Sequence, residues 1–144
     1  MKLLVVDDSP EITELLSVAM ELFGHRVDEA TDGVMAIERL KNGAYDVVIT
    51  DAEMPRMGGE EVCRFMKKHF PDVYIIGMSG CQKALDTLKN AGADICFAKP
   101  FNVSEMAESV ENRCPQRQGS SMKMNRLHRV LGVMLNRSET AEAY

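Results

Sequence analysis

No apolar run in this chain is long enough to cross a membrane. The opening segment, MKLLVVDDSP, has only four consecutive apolar residues, Leu3 to Val6, before two aspartates interrupt it. That is too short for a signal-peptide core or a membrane span, and a cytoplasmic location is the expectation. Cysteine is sparse: Cys63, Cys81, Cys96 and Cys114 form no CxxC or Cys/His cluster, which excludes a recognisable zinc site or redox motif. Reduced thiols are expected, with Cys96 read as a small buried hydrophobe. His25, His69 and His128 show no ligand spacing and are read as surface or helix-end histidines. Tryptophan is absent, but hydrophobic residues make up 45% of the 144 positions, ample for a packed core. A chain of this length forms one domain of ordinary size, and a second full domain would not fit.

Charge is unevenly distributed. Residues 1–112 carry 11 Lys+Arg against 20 Asp+Glu, a net of −9, whereas residues 113–144 carry 6 against 2, a net of +4. Two parts with different roles are implied.

The apolar run Leu3 to Val6 reads as a strand ending at Asp7 and Asp8. Ser9-Pro10-Glu11 then starts a helix with an N-cap, a first-turn proline and an acid. Ile12, Leu15, Leu16, Ala19, Met20 and Phe23 recur at steps of three and four until Gly24 stops it. The unit repeats. Arg26 to Ala30 is a strand, followed by a helix from about Asp32 with Ala36, Ile37 and Leu40 inward, closed by Asn42-Gly43. Val47 to Ile49 is a strand, and after the Pro55 to Gly59 loop a helix carries Val62, Cys63 and Met66. Val73 to Met78 is a strand, Gln82 to Ala91 a helix, Ile95 to Ala98 a strand, and Val103, Met106, Ala107 and Val110 mark a last amphipathic helix. Strands that read as continuous apolar runs between helices indicate a parallel sheet covered on both faces. Right-handed crossovers make it an α/β, doubly wound, five-stranded sheet.

Ligands of such sheets bind beyond the carboxyl ends of the strands, where Asp7, Asp8, Asp51, Ser79 and Lys99 fall. Each has an ordinary reading alone: an acid before a helix, a Ser-Gly turn, a surface lysine. Together they converge on one crevice. Clustered carboxylates repel, and a divalent cation with oxygen ligands offsets that. Mg2+ fits, since it takes one or two carboxylates and leaves room for phosphate oxygens. A carboxylate, a serine and a lysine around such an ion suit phosphoryl transfer.

The motifs VVDDS, VVITDAEMPRMGG, GMSG and AKPF, in this order, resemble the receiver domain of two-component response regulators, of the chemotaxis-regulator type. The resemblance covers residues 1 to about 112 and implies the flavodoxin-like (βα)5 receiver fold. It makes Asp51 the phosphoacceptor, with a sensor histidine kinase or histidine phosphotransfer protein as donor. Asp8 would ligate Mg2+ directly, Asp7 through water, and the Glu53 backbone carbonyl and Asp51 would complete the protein ligands. Ser79 would hydrogen-bond the phosphoryl oxygens and Lys99 would bind Asp51 or its phosphate. It also implies a cis Lys99-Pro100 bond and an output face formed by the fourth helix, fifth strand and fifth helix toward an unidentified downstream protein. The chain departs from the family pattern three residues before Lys99, where Cys96 replaces the usual aromatic and Phe97 follows. Glu53 and Cys81 hold the two positions that face attacking water.

Residues 113–144 are read as a linker and tail. Met124, Leu127, Leu131 and Met134 share one helical face of 121–136, with Lys123, Arg126, Arg129 and Arg137 mostly elsewhere, a basic amphipathic helix. Its expected role is binding a partner groove, an anionic membrane or nucleic acid; the plainer readings are that it packs on the acidic domain or is partly disordered. It is too short for a DNA-binding effector domain. The function expected is a signalling module and not an enzyme, with homodimerisation left open. Rival readings are a phosphate-independent pseudo-receiver adaptor, a haloacid-dehalogenase-like phosphotransferase and a flavodoxin-like cofactor binder. The dehalogenase would need a DxD after the first strand and a cap domain. The flavodoxin would need hydroxyl and amide donors where this chain has paired acids.

Overall fold

The structure is a computed structural model that describes residues 1–113 and Arg129. The linker and helix read from the sequence beyond Arg113, and Cys114, lie outside the described residues. Ten elements alternate: β1(Lys2–Val6), α1(Pro10–Leu22), β2(Arg26–Ala30), α2(Gly33–Asn42), β3(Val47–Asp51), α3(Gly59–His69), β4(Tyr74–Ser79), α4(Gln82–Ala91), β5(Ile95–Ala98) and α5(Val103–Glu111).

All four strand pairings are parallel, in the order β2-β1-β3-β4-β5. Each crossover is a helix, as a parallel sheet requires. The strand order reverses direction between β1 and β3, so a crevice opens where the helices after them diverge. The expected doubly wound five-stranded sheet is therefore present. Strand ends differ by one or two residues: β3 continues two residues past Ile49, through Thr50 to Asp51, and β4 runs from Tyr74 to Ser79, one residue later at each end than read, because their amides stay paired to the strand ends.

Local signals explain the helix boundaries. Pro10 and Glu11 open α1, where Ser9 stays extended and caps through its carbonyl, which accepts from Ile12 and Thr13. Asp32 caps α2 by accepting from the Met35 amide at 2.8 Å, and Asn102 caps α5 through Ser104 and Glu105. Gly92 ends α4 in the left-handed region, φ 118°, a conformation glycine adopts without steric cost.

Alternation along the strands splits the core into two layers. Leu3, Val5, Ile49, Ile76 and Met78 face α1 and α5, while Leu4, Val6, Val48 and Ile75 face α2, α3 and α4. Burial of each such side chain contributes about 1.5–3 kcal/mol before entropy is counted. Ile37 is only half-buried, so α2 packs chiefly through Ala36 and Leu40. Among the described residues, no helix is long and apolar enough to cross a membrane.

His25 corrects the surface reading made from sequence. It is 4% exposed, and its Nε2 lies 2.6 Å from Glu111 Oε1 at the end of α5. The Met1 ammonium lies 3.1 Å from Nδ1. An ammonium only donates, so Nδ1 accepts and the proton sits on Nε2, donating to Glu111. Nothing in the local sequence signals a partner 86 residues away. His25→Ala removes this partner from a buried carboxylate and is expected to lower stability by about 1–3 kcal/mol. Urea unfolding checks this, and an unchanged midpoint would contradict it.

Candidate functional site

The carboxyl edge of the sheet gathers the residues singled out at the strand ends. β1 runs into Asp7, which is 1% exposed. Its backbone amide is held by Ala30 of β2 at 3.1 Å, and its Oδ1 accepts from the Ser9 amide at 2.9 Å. Asp8, next in the chain, is exposed. β3 delivers Asp51, buried at 6% exposure. The following amide, Ala52, bonds to the Met78 carbonyl at 2.9 Å and ties the strand end down. Asp7, Asp8 and Asp51 each offer one oxygen to a set whose members all lie within 4.8 Å of one another.

Lys99 enters from the far edge of the sheet. Its amide bonds to the Ser79 carbonyl at 2.8 Å, and its Nζ reaches Asp7 Oδ2 at 3.0 Å and Asp51 Oδ1 at 3.1 Å. The Lys99-Pro100 bond is cis. Ser79, buried at the end of β4, accepts the Cys81 amide at 3.0 Å through Oγ. Glu53 lies exposed in the loop two residues beyond Asp51.

The electrostatics are those of a site short of positive charge. Burial, followed by the charge of Asp7, pushes Asp51 up from 3.8 to about 6, although Lys99 acts in the opposite direction. Burial lowers the Lys99 pKa, but the hydrogen bond to Asp7 and the charges of Asp51 and Asp7 outweigh it and raise the value. One ammonium thus faces three carboxylates. The donor set is all oxygen, hard and partly buried, and suits a hard divalent cation.

Two site features escaped the sequence reading. Arg56, in the loop between β3 and α3, has φ 65° and donates through Nε to Asp32 Oδ2 at 2.8 Å, with Nη2 on the same oxygen. This ties the loop containing Glu53 to the cap of α2. Gly33 and Gly59 lie where a Cβ would come within 2.5 Å of the Met57 carbonyl oxygen and 2.2 Å of the Asp51 carbonyl oxygen. MPRMGG was legible as a loop, but the backbone contacts behind it were not.

At the departure from the family pattern, β5 alternation puts Cys96 and Phe97 on opposite faces. Cys96 packs on the α4 side, half-buried, with Sγ 3.7 Å from the Leu85 carbonyl. Phe97 packs on the α5 side, so it does not stand in for the missing aromatic. Cys63, Cys81 and Cys96 are free thiols. Burial is the leading cause of the upward shifts at Cys63, to about 12, and at Cys96.

A doubly wound (βα)5 sheet with three acids, a serine and a lysine at its carboxyl edge defines the class of flavodoxin-like domains with an acidic crevice. The pattern of the response regulator receiver domain matches residues 3–111, and the chain belongs to that family. It is 36% identical over 112 residues to the transcriptional regulatory protein CpxR homolog of Haemophilus influenzae, covering 76% of this chain and 48% of that protein. It is 34% identical over 105 residues to the sensor protein EvgS of Escherichia coli K12, covering 72% of this chain and 9% of that protein. The chain thus spans about half or less of the length of these relatives. Among solved structures, TrrA of Thermotoga maritima in complex with Mg2+-BeF has a TM-score of 0.72 at 36% identity, covering 78% of this chain and 97% of that one. The chemotaxis protein CheY4 of Vibrio cholerae has a TM-score of 0.71 at 27% identity, covering 77% and 96%. The family is a signalling module of two-component systems, which leaves the haloacid-dehalogenase and flavodoxin readings without support.

Proposed function

We propose that Asp51 accepts a phosphoryl group from the phosphohistidine of a sensor histidine kinase or histidine phosphotransfer protein, and that the domain of residues 1–112 converts this charge into a change of partner affinity. The observation that supports it best is the Asp51 carboxylate, buried beside Asp7 and Asp8 and 3.1 Å from the Lys99 ammonium. A carboxylate oxygen of Asp51 attacks phosphorus, the phosphorus–nitrogen bond breaks, and the imidazole leaves, giving an acyl phosphate. Lys99 offsets the incoming negative charge as a point cation. The Ser79 hydroxyl is the donor for the phosphoryl oxygens. Asp7, Asp8, Asp51 and the Glu53 carbonyl would hold Mg2+, which when bound supplies charge neutralisation for the transferred group. The structure of TrrA with Mg2+-BeF, an analogue of a metal-bound phosphoryl group, supports this reading. Output runs through α4, β5 and α5, and the only chemistry is formation and loss of the domain's own phosphate, in the cytoplasm.

Mg2+ titration across pH tests the site. A proton on Asp51 competes with the cation, and its pKa stands at about 6. Apparent Mg2+ affinity is therefore expected to be flat above that value and to fall about tenfold per pH unit below it. Calorimetric titration reads this, and Asp51→Asn flattens the profile. Affinity independent of pH in the native chain would count against Asp51 as a ligand.

A further inference from the structure

The two helical layers of this domain carry opposite charge. On one face of the sheet, α1 and α5 contain Glu11, Glu14, Glu21, Glu105, Glu108 and Glu111 and no lysine or arginine. On the other, α2, α3 and α4 contain seven lysines and arginines against four acids. Glu111 turns inward to His25, and the other five glutamates are exposed. None of the five takes part in an ion pair among the described residues. Half-buried Val18 stands among the glutamates of α1, while half-buried Leu22 packs against the core beneath them.

The chain leaves this acidic layer at Arg113, directly after the C-cap of α5, and from there its composition turns basic, 6 Lys+Arg against 2 Asp+Glu. Residues 114–120 reach up to about 24 Å when extended, more than the length of α1, about 20 Å. Every point of the α1–α5 layer is therefore within reach, and a tether this short holds its end at millimolar effective concentration. The α2–α4 layer, with its excess of cations, repels the same segment.

We propose that residues 121–137 dock in cis on the acidic α1–α5 layer. The segment's four cations, Lys123, Arg126, Arg129 and Arg137, complement the charge of the five exposed glutamates, and its apolar residues Met124, Leu127, Leu131 and Met134 complement half-buried Val18. The layer is then occupied until a partner displaces the segment.

The test uses the full chain and its backbone amide NMR spectrum. The native protein is compared with the variant Lys123→Gln/Arg126→Gln/Arg129→Gln/Arg137→Gln, whose substitutions all lie outside the domain. Amides of residues 11–22 and 103–111 are expected to shift between the two, while those of α2, α3 and α4 stay in place. Salt should bring the native spectrum toward the variant's, since screening shortens from about 10 Å at 0.1 M to about 3 Å at 1 M. The reciprocal variant Glu11→Gln/Glu14→Gln/Glu105→Gln/Glu108→Gln changes only exposed side chains and should shift the amides of 121–137 in the same way. Unchanged α1 and α5 amides would overturn the proposal, as would shifts confined to α2–α4. Shifts that fade on dilution would overturn it too, because the segment would then engage a second copy.

Discussion

Gly59→Ala is expected to destabilise the domain by about 2–4 kcal/mol and to slow any chemistry at Asp51. The added Cβ would lie 2.2 Å from the Asp51 carbonyl oxygen and 3.1 Å from the Ala52 Cα. Both are backbone atoms, which cannot rotate away, so the first turn of α3 must withdraw from the end of β3. That movement reaches Asp51 directly, and displacements near 1 Å at a reacting group cost rate steeply. Two neighbours calibrate the effect. At Gly58 the nearest atom would be the Ala52 carbonyl oxygen at 3.0 Å, whereas at Gly80 nothing lies within 4 Å. Denaturant unfolding should therefore rank Gly59→Ala far below Gly58→Ala, with Gly80→Ala near the native chain. A Gly59→Ala protein as stable as Gly80→Ala would contradict the packing described.

Lys99→Met should be the second large effect, about 2–3 kcal/mol in the absence of Mg2+. The ammonium is the cation shared by Asp7 and Asp51, at 3.0 and 3.1 Å, and methionine keeps the apolar stem while removing the charge. The cost depends on pH with a definite sign. Asp51 already has a folded-state pKa of about 6 against 3.8. The stability it contributes is thus fully present below the lower value and is lost as pH rises through the upper one. Without Lys99 the folded value rises further, so the penalty should be small at about pH 5 and full at about pH 8. Mg2+ should restore more stability to Lys99→Met than to the native chain, because it replaces the missing positive charge. Urea unfolding at the two pH values, with and without Mg2+, reads all of this. A penalty that is larger at the acid end would contradict the site's electrostatics.

What could be read from the sequence depended on the range of the signal. The strand starting at Val47 and the strand-to-helix handover at Ser9-Pro10-Glu11 are local patterns and appear where they were read, although the strand runs two residues further, to Asp51. The strand-end residues were legible because a parallel sheet puts its crevice at the carboxyl edge whatever the side chains are. Asp7, Asp51, Ser79 and Lys99 meet there, with Asp8 beside them. Partner choice across long separations was not legible. Lys99 bridges Asp7 and Asp51, while Glu111 seeks out His25 and Arg56 reaches back to Asp32. These pairings arise from the packing of helices on the sheet, and no composition or period encodes them. The same holds for Gly59, whose need for a missing side chain comes from an atom eight residues earlier. Cys96 and Phe97 fall between these cases. Strand alternation alone puts them on opposite faces, a reading available from the sequence once β5 was placed.

The most direct test of Asp51 as phosphoacceptor is intact mass after incubation with acetyl phosphate and Mg2+, with and without EDTA. The native chain should gain one phosphoryl group only when Mg2+ is present, and Asp51→Asn should gain none. A native chain that gains no mass under conditions where beryllofluoride also leaves its amide spectrum unchanged would contradict the proposal and identify a phosphate-independent adaptor instead.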